Sequence, residues 1–167
     1  RDKQRLRPQA MRHEAINLER TAAGYDELTE RERLLVDAAR AAVEGSYAPY
    51  SNFHVGAAVL LDNGEIVKGA NQENAATPSS LCAERTAAYW AHANFPAARF
   101  EAIAIAARDA SGREVEAPIS PCGACRQALL QYETLAGRDV KVILAGSREI
   151  YIAPSVKSLL PLAFTEF

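Results

Sequence analysis

The chain contains 167 residues, carries a formal net charge of −2 and has an isoelectric point near 6.0. That length suits one domain with a sizeable core, and the slight acidic surplus argues against the basic face that nucleic-acid-binding proteins present. No apolar run approaches the roughly eighteen residues that span a bilayer and no signal-like segment opens the chain, so we expect a small-molecule partner rather than a nucleic acid or a membrane.

Residues 1–28 form a polar, arginine-rich stretch with little periodicity. Gln9 to Ala23 has a weak helical pattern, but its apolar positions are too few for a helix that faces a core. We therefore predict an N-terminal extension that lies on the surface as an arm. The glutamates among its arginines favour a solvated arm over one that binds nucleic acid.

The folded domain is predicted to span residues 29–167 and to begin at a capping box, Thr29–Glu32. Apolar residues at helical spacing follow the box, and Gly45 marks the end of this first helix. Further along, Asp62-Asn63-Gly64 is a strong hairpin signal, so the strands on either side of it should be antiparallel neighbours.

After the first helix, strand and helix patterns alternate, which is typical of a mixed sheet covered by helices. Five segments have the short apolar runs of strands: Phe53–Leu61, Glu65–Ala70, Phe100–Ala107, Val140–Ala145 and Ile150–Ile152. Three segments have the composition and spacing of helices: Cys82–Ala93, Cys122–Thr134 and Val156–Leu160. Residues 71–80 have loop composition and lead the chain to Cys82.

All three cysteines lie in two short motifs, Cys82-Ala83-Glu84 and Pro121-Cys122-Gly123-Ala124-Cys125. The C-x-x-C spacing lets Cys122 and Cys125 bind one ion, and Cys82 can supply a third sulfur. Three ligands leave one tetrahedral position open for water or substrate, as in catalytic zinc sites. An odd number of cysteines does not make a disulfide framework, and thiolate ligands favour a reducing compartment, so we predict a cytoplasmic protein.

Glu84 lies two residues after Cys82, at the predicted start of a helix, and is our candidate general acid and base. A C-x-x-C motif alone also occurs in redox pairs and in structural zinc ribbons. A ribbon would need a fourth ligand, and three turns of helix would carry His92, the nearby candidate, away from the ion. The added Cys-x-Glu motif favours the catalytic zinc.

These motifs and several others closely resemble the short-chain, three-cysteine cytidine deaminases. The resemblance covers about residues 29–167, and its matching segments are Tyr47-Ala48-Pro49-Tyr50-Ser51, Val55-Gly56-Ala57-Ala58, Asn71-Gln72-Glu73-Asn74-Ala75, Cys82-Ala83-Glu84-Arg85-Thr86-Ala87, Pro121-Cys122-Gly123-Ala124-Cys125-Arg126-Gln127 and Leu159-Leu160-Pro161. The chain departs from the family at Thr77–Ser80, where an aromatic residue is frequent. This departure bears on the expected subunit contact and not on the chemistry.

The resemblance implies an α/β fold with three α/β/α layers around a five-stranded mixed sheet, assembled as a homotetramer with sites near the subunit interfaces. It also implies one zinc ion per chain, held by Cys82, Cys122 and Cys125. The implied reaction belongs to pyrimidine salvage: hydrolysis of cytidine and deoxycytidine to uridine and deoxyuridine with release of ammonia. In that reaction the metal activates water for attack at C4 of the ring, and Glu84 moves the protons.

The resemblance assigns substrate-binding positions as well. It places Asn71 and Glu73 at the ribose, Phe53 and Ala83 at the nucleoside, and Phe164 at the site of a neighbouring subunit. An amide and a carboxylate suit a sugar hydroxyl, because together they can donate to it and accept from it. The alternatives are that Asn71 and Glu73 tie their own loop and that Phe53 belongs to the core.

Arg85 begins the same predicted helix as Cys82, where its charge can offset the negative charge of three thiolates on one Zn²⁺. The alternative is a surface ion pair of small energetic consequence.

Two other functions share the cysteine motifs: deamination of another aminopyrimidine nucleoside such as blasticidin S, and a non-catalytic zinc-stabilised module. The matches at Asn71, Glu73 and Arg85 favour cytidine, and a binding module would have no use for Glu84. Editing of cytosine within polynucleotides would require a basic groove along the backbone, which the net charge does not indicate.

Overall fold

The structure, a computed structural model, describes residues 10–165. Its helices are α1 (Glu30–Ala42), α2 (Ala83–Asn94) and α3 (Gly123–Ala136). Its strands are β1 (Thr21–Ala23), β2 (His54–Leu61), β3 (Ile66–Ala70), β4 (Phe100–Arg108), β5 (Lys141–Ala145) and β6 (Ile150–Ala153). The strands form one mixed sheet in the order β1-β6-β5-β4-β2-β3, in which β4 and β5 pair in parallel and the other neighbours are antiparallel.

Apolar side chains on both faces of the sheet produce three layers, because successive residues of a strand point to opposite faces. On one face, Ala58, Leu60 and Ile143 pack with the apolar stripe of α1. On the other face, Ile103 and Ile105 pack with the residues of α2 and α3. The predicted α/β/α layering and mixed sheet are therefore confirmed.

The sheet has six strands and not the predicted five, because the N-terminal extension contributes β1. Thr21–Ala23 pairs antiparallel with β6, and the guanidinium carbon of Arg20 lies 3.5 Å from the centre of the Tyr151 ring on that strand. An edge strand presents unpaired backbone groups, so even three residues gain hydrogen bonds there. The extension also contributes Leu28 to the core on the α1 side of the sheet.

The weak helical pattern over Gln9 to Ala23 does not correspond to a helix in the described residues, because residues 10–20 are exposed and lack regular structure and Thr21–Ala23 is a strand. Such a segment has no apolar stripe to pack, and short isolated helices are marginal in water. Residues 1–9 of the predicted arm lie outside the described residues.

The remaining elements follow the sequence prediction with small shifts at their ends. The capping box is confirmed, since the Thr29 side chain accepts from the Glu32 backbone and the Glu32 side chain accepts from the Thr29 backbone. The last predicted helix is only a 3₁₀ turn, Lys157–Leu159. Among the described residues, no helix is both long and apolar enough to cross a membrane.

Two glycines let the helices lie very close to the sheet. A Cβ on Gly69 of β3 would lie 2.4 Å from the backbone nitrogen of Ala87 in α2, and one on Gly56 of β2 would lie 2.2 Å from the carbonyl oxygen of Ala39 in α1. Any larger residue at Gly69 would therefore have to displace α2. This close contact fixes the depth of the helix that begins at Cys82.

Candidate active site

The cysteines lie at the N-termini of two neighbouring helices. Cys82 is the N-cap residue of α2 and Cys122 that of α3, and Cys125 lies in the first turn of α3. Neither N-cap side chain bonds the backbone of its own helix. The sulfurs are therefore available to a metal, and the positive ends of the two helix dipoles favour their thiolate forms.

The three sulfurs lie within 4.8 Å of one another, and those of Cys82 and Cys122 are 3.9 Å apart. With Zn–S bonds of about 2.3 Å, tetrahedral geometry places sulfurs roughly 3.8 Å apart, so the cluster has the dimensions of a zinc site. Within residues 10–165, no histidine or acidic residue joins the three cysteines as a fourth ligand. His92 instead lies against Tyr132, with ring centres 5.4 Å apart and ring planes tilted by 50°. Three protein ligands would leave a tetrahedral zinc ion one position for water or substrate.

Charges and hydrogen bonds shift the pKa values of the Cys82 and Cys125 thiols in opposite directions. A hydrogen bond from Cys125, assisted by Arg85, lowers the pKa of the Cys82 thiol, whereas that shared bond and burial raise the pKa of the Cys125 thiol. Arg85 Nη2 lies 3.6 Å from the sulfur of Cys82. The buried Nε of Arg85 has no hydrogen-bond partner among the described residues. Arg85 is therefore the cationic group that lies beside the sulfur of Cys82.

Glu84 is a buried carboxyl group beside the cluster, with 4% of its surface exposed. Burial raises its pKa to about 7, and the negative charge of Cys82 acts in the same direction. At such a pKa, both the protonated and the ionised forms are accessible at neutral pH. A group of this kind can accept a proton at one step and return it at another.

A cavity of about 500 Å³ opens next to the cluster. Its lining combines the metal motif with the two loops that precede it: Tyr50, Ser51, Asn71, Glu73, Asn74, Thr77, Ser80, Leu81, Cys82 and Arg85. The predicted ribose residues Asn71 and Glu73 therefore share one cavity with a metal ligand. Thr77 and Ser80 occupy the stretch in which the chain departs from the family pattern.

Asn71 is held in place by the start of β2. Its Oδ1 accepts from the backbone of Val55 at 2.9 Å, and its Nδ2 donates to the carbonyl of Phe53 at 2.9 Å. The Ser46 hydroxyl lies 2.6 Å from Oδ1. These contacts occupy both acceptor sites of the amide oxygen and leave one Nδ2 hydrogen without a partner among residues 10–165.

Glu73 is held by the loop before β2. Its Oε2 accepts from the backbone of Tyr50 at 2.8 Å and of Ser51 at 3.2 Å, and its Oε1 accepts from the Ser51 hydroxyl. The hydrogen bond from Ser51 lowers the pKa of the carboxyl group, so it is ionised at neutral pH. A carboxylate has about four acceptor sites, so one remains for a ligand.

The sequence of this chain is similar to those of known deaminases. The family model of the cytidine and deoxycytidylate deaminase zinc-binding region matches residues 29–138. A cytidine deaminase from Halalkalibacterium halodurans is 40% identical over 133 residues, which cover 80% of this chain and 93% of that protein. The chain belongs to the cytidine deaminase family. Its three-cysteine cluster is the zinc site of this deaminase, as predicted.

Solved structures agree with the family assignment. The cytidine deaminase from Burkholderia pseudomallei superposes with a TM-score of 0.69 at 38% identity, covering 82% of this chain and 100% of that one. The cytidine deaminase from Mycobacterium tuberculosis gives a TM-score of 0.63 at 32% identity, covering 81% and 98% respectively. The fold of this deaminase is thus that of its family.

The structure places the other predicted substrate residues away from the lining of the cavity. Phe53 is half-buried and packs against the core, and Ala83 is fully buried in the first turn of α2. Phe164 is 66% exposed, and its carbonyl accepts from Gln127 of α3 at 2.9 Å. Their roles in this deaminase remain proposals.

Sequence analysis missed Ser51, Ser46 and the backbone of Tyr50 as partners of the sugar-binding candidates. Ser51 lies 22 residues before Glu73, and Ser46 lies 25 residues before Asn71. Serine is common in turns, so the residue type does not indicate these contacts, although Tyr50 and Ser51 belong to a segment that matches the family.

Proposed function

We propose that this deaminase hydrolyses cytidine and deoxycytidine to uridine and deoxyuridine with release of ammonia. One observation carries the proposal: a buried carboxyl group, Glu84, interacts with Cys125 and Cys82 of the three-thiol cluster, and Cys82 lines a cavity together with Asn71 and Glu73. That set of groups supplies metal ligands, a proton carrier and sugar-binding groups in one place. Such a combination is what hydrolysis of an exocyclic amine on a nucleoside requires.

Bound zinc supplies the Lewis-acid activation of the attacking water. Glu84 would accept one proton from the attacking water and deliver it to N3 of the pyrimidine, and would then pass the second proton of that water from the hydroxyl group on C4 to the departing amine. The water oxygen remains on C4, and the C4–N bond breaks to give ammonia. Burial of Glu84 keeps the proton exchange within the site, because bulk water has little access to the carboxyl group.

A panel of aminopyrimidines read by ammonia release tests the proposal. We expect turnover of cytidine and deoxycytidine, and little or none of blasticidin S or of cytosine within single-stranded DNA. Preferred turnover of blasticidin S would reassign the substrate. A zinc-loaded protein that deaminates none of these compounds would favour the non-catalytic module.

The proposed sugar contact divides donor and acceptor roles between Asn71 and Glu73. Asn71 retains one free Nδ2 hydrogen and Glu73 retains one acceptor site, so one sugar hydroxyl can accept from the amide and donate to the carboxylate. The loop contacts of both residues are compatible with this role, since they hold the two groups still before the substrate arrives.

Glu73→Ala is expected to lower kcat/KM for cytidine far more than for 2′,3′-dideoxycytidine, which lacks the 2′ and 3′ hydroxyls of the sugar. A lost partner for a buried hydroxyl costs on the order of 1–3 kcal/mol, or roughly ten- to hundredfold. Ser51→Ala serves as the control, because it removes a loop contact and keeps the carboxylate. Equal losses on the two nucleosides would mean that Glu73 only ties its loop.

Arg85 is proposed to offset the charge of the metal site. Three thiolates and one Zn²⁺ sum to −1, and Arg85 donates towards the sulfur of Cys82 at 3.6 Å. Two unit charges about 5 Å apart, at an effective dielectric constant of about 20, interact with an energy of roughly 3 kcal/mol. Fully expressed in the transition state, that energy corresponds to about a hundredfold in rate.

Arg85→Gln is therefore expected to lower kcat by about ten- to a hundredfold while zinc stays bound. The acidic limb of the pH–rate profile should move to higher pH, because loss of a cation makes the acid–base groups of the site less acidic. Arg148→Gln makes the same chemical change at an exposed ion pair and should leave both kcat and the profile unchanged. If the unmodified enzyme, Arg85→Gln and Arg148→Gln have the same pH–rate profile and kcat, Arg85 has no role in the electrostatics of the site.

The assembly is proposed to be a homotetramer in which Phe164 reaches a neighbour's site. In its support, exposed aromatic side chains lie on α2 (Tyr89 and Trp90) and on the C-terminal segment (Phe164). Phe164→Ala is expected to raise KM for cytidine several-fold with little change in melting temperature, since an exposed ring contributes little to the core. Light scattering measures the number of subunits, and a fully active monomer would contradict the proposal that Phe164 completes the site of a neighbouring subunit.

A further inference from the structure

Asn71 is part of a hydrogen-bonded network with Ser46 and His54. The Ser46 hydroxyl oxygen lies 2.6 Å from Asn71 Oδ1, and His54 Nδ1 lies 3.0 Å from that same hydroxyl oxygen. His54 is half-buried at the first position of β2, between the two residues whose backbone holds the Asn71 amide. The network therefore connects a histidine outside the cavity lining to a proposed sugar-binding group.

The direction of each hydrogen bond in the network follows from backbone contacts. The N–H of Val55 can only donate and the carbonyl of Phe53 can only accept, so they fix which end of the Asn71 amide is oxygen. Because that oxygen faces Ser46, the single hydrogen of the hydroxyl must point to it. The hydroxyl oxygen can then only accept from His54, so Nδ1 of the imidazole must carry a hydrogen.

We infer that His54 is a positioning residue for sugar recognition, which donates from Nδ1 to Ser46 and thereby holds the Asn71 amide. The inference rests on the proposed function, in which Asn71 binds a sugar hydroxyl. With both acceptor sites of Oδ1 filled, Asn71 can only donate to the sugar, while Glu73 can only accept. The site therefore admits one orientation of the hydroxyl, and sites of this kind discriminate against analogues that lack the group.

Steady-state kinetics with cytidine tests the positioning role. His54→Ala should raise KM two- to tenfold, the equivalent of one hydrogen bond, with kcat nearly unchanged. His54→Asn should restore KM, because its side-chain N–H lies near the position of Nδ1. KM for 2′,3′-dideoxycytidine should be the same in all three proteins. His13→Ala, at an exposed position, is the control and should match the unmodified enzyme.

A spectroscopic measurement tests the network without relying on activity. The chain has three histidines, so ¹⁵N-histidine labelling gives a simple spectrum in which His54→Asn assigns the His54 signals. We expect hydrogen on Nδ1 and none on Nε2 at a pH where the ring is neutral, and loss of this preference in Ser46→Ala.

The kinetic and spectroscopic measurements can each contradict the inference independently. A neutral His54 with its hydrogen on Nε2 would overturn the inference whatever the enzyme's activity. An unchanged KM in His54→Ala, or His54→Asn no better than His54→Ala, would overturn the positioning role. Absence of cytidine turnover in the unmodified, zinc-loaded protein would instead overturn the proposed function, and with it the sugar-binding role of Asn71.

Discussion

Replacing Glu84 with glutamine is expected to lower kcat for cytidine by about 10²–10⁴-fold while the protein keeps its zinc. The amide has nearly the same shape as the carboxyl group but cannot accept a proton from water or pass one to N3 and the departing amine. Since Glu84 is not among the clustered metal ligands, zinc content should not change. Stopped assays of ammonia release and metal analysis of the purified variant measure the two quantities.

Glu133→Gln is the matched control, because Glu133 is the other buried glutamate among residues 10–165, with 5% of its surface exposed. Its carboxylate accepts from the backbone of Val140, Val156 and Lys157 at 2.6–3.0 Å. Glutamine there replaces an acceptor with a donor that faces backbone N–H groups, so we expect a lower melting temperature with kcat per folded molecule retained. Full activity of zinc-loaded Glu84→Gln would remove Glu84 from the chemistry.

Cys125→Ser is expected to lose zinc and, with it, all measurable deamination. Cys125 is fully buried, and its sulfur lies within 4.8 Å of the other two, so no described residue can take its place in the cluster. Serine is a poor zinc ligand compared with thiolate, and two remaining sulfurs do not make a stable site. Because metal binding to thiols is coupled to folding, the melting temperature should fall as well.

Chelation of the unmodified enzyme provides the control for Cys125→Ser. Removing zinc should abolish activity, and added zinc should restore it, since the chain has three cysteines and all lie in the cluster. The same addition should not restore Cys125→Ser. Activity that survives complete removal of the metal would show that the deaminase does not use zinc in its reaction.

Much of the fold could be predicted because its signals are local. The Thr29–Glu32 capping box, the alternation of strands and helices and the hairpin at Asp62-Asn63-Gly64 each depend on neighbouring residues, and the structure confirms them. The edge strand Thr21–Ala23 could not be predicted. Three residues have too little pattern of their own, and their hydrogen bonds come from a partner strand about 130 residues further along the chain.

The two motif arginines illustrate the same limit at the site. Arg85 and Arg126 each follow a cysteine motif, with the order Glu-Arg in one and Cys-Arg in the other. Arg85 donates towards the sulfur of Cys82, whereas Arg126 donates to the backbone carbonyls of Pro121 and Leu159 at 2.9 and 2.7 Å. The sequence already suggested a role for Arg85 in the electrostatics of the site, which stays a proposal, whereas the loop contacts of Arg126 appear only in the tertiary structure.

The sequence by itself determined the chemistry of the site: three sulfurs for one metal and a carboxyl group beside them, because ligand type and motif spacing are written in the chain. The tertiary structure decided how the site is held. The partners of Asn71 and Glu73, the contact between His54 and Ser46 and the close approach of α2 to Gly69 all join residues from different segments. Such contacts depend on how folded elements pack, which no local pattern of residues encodes.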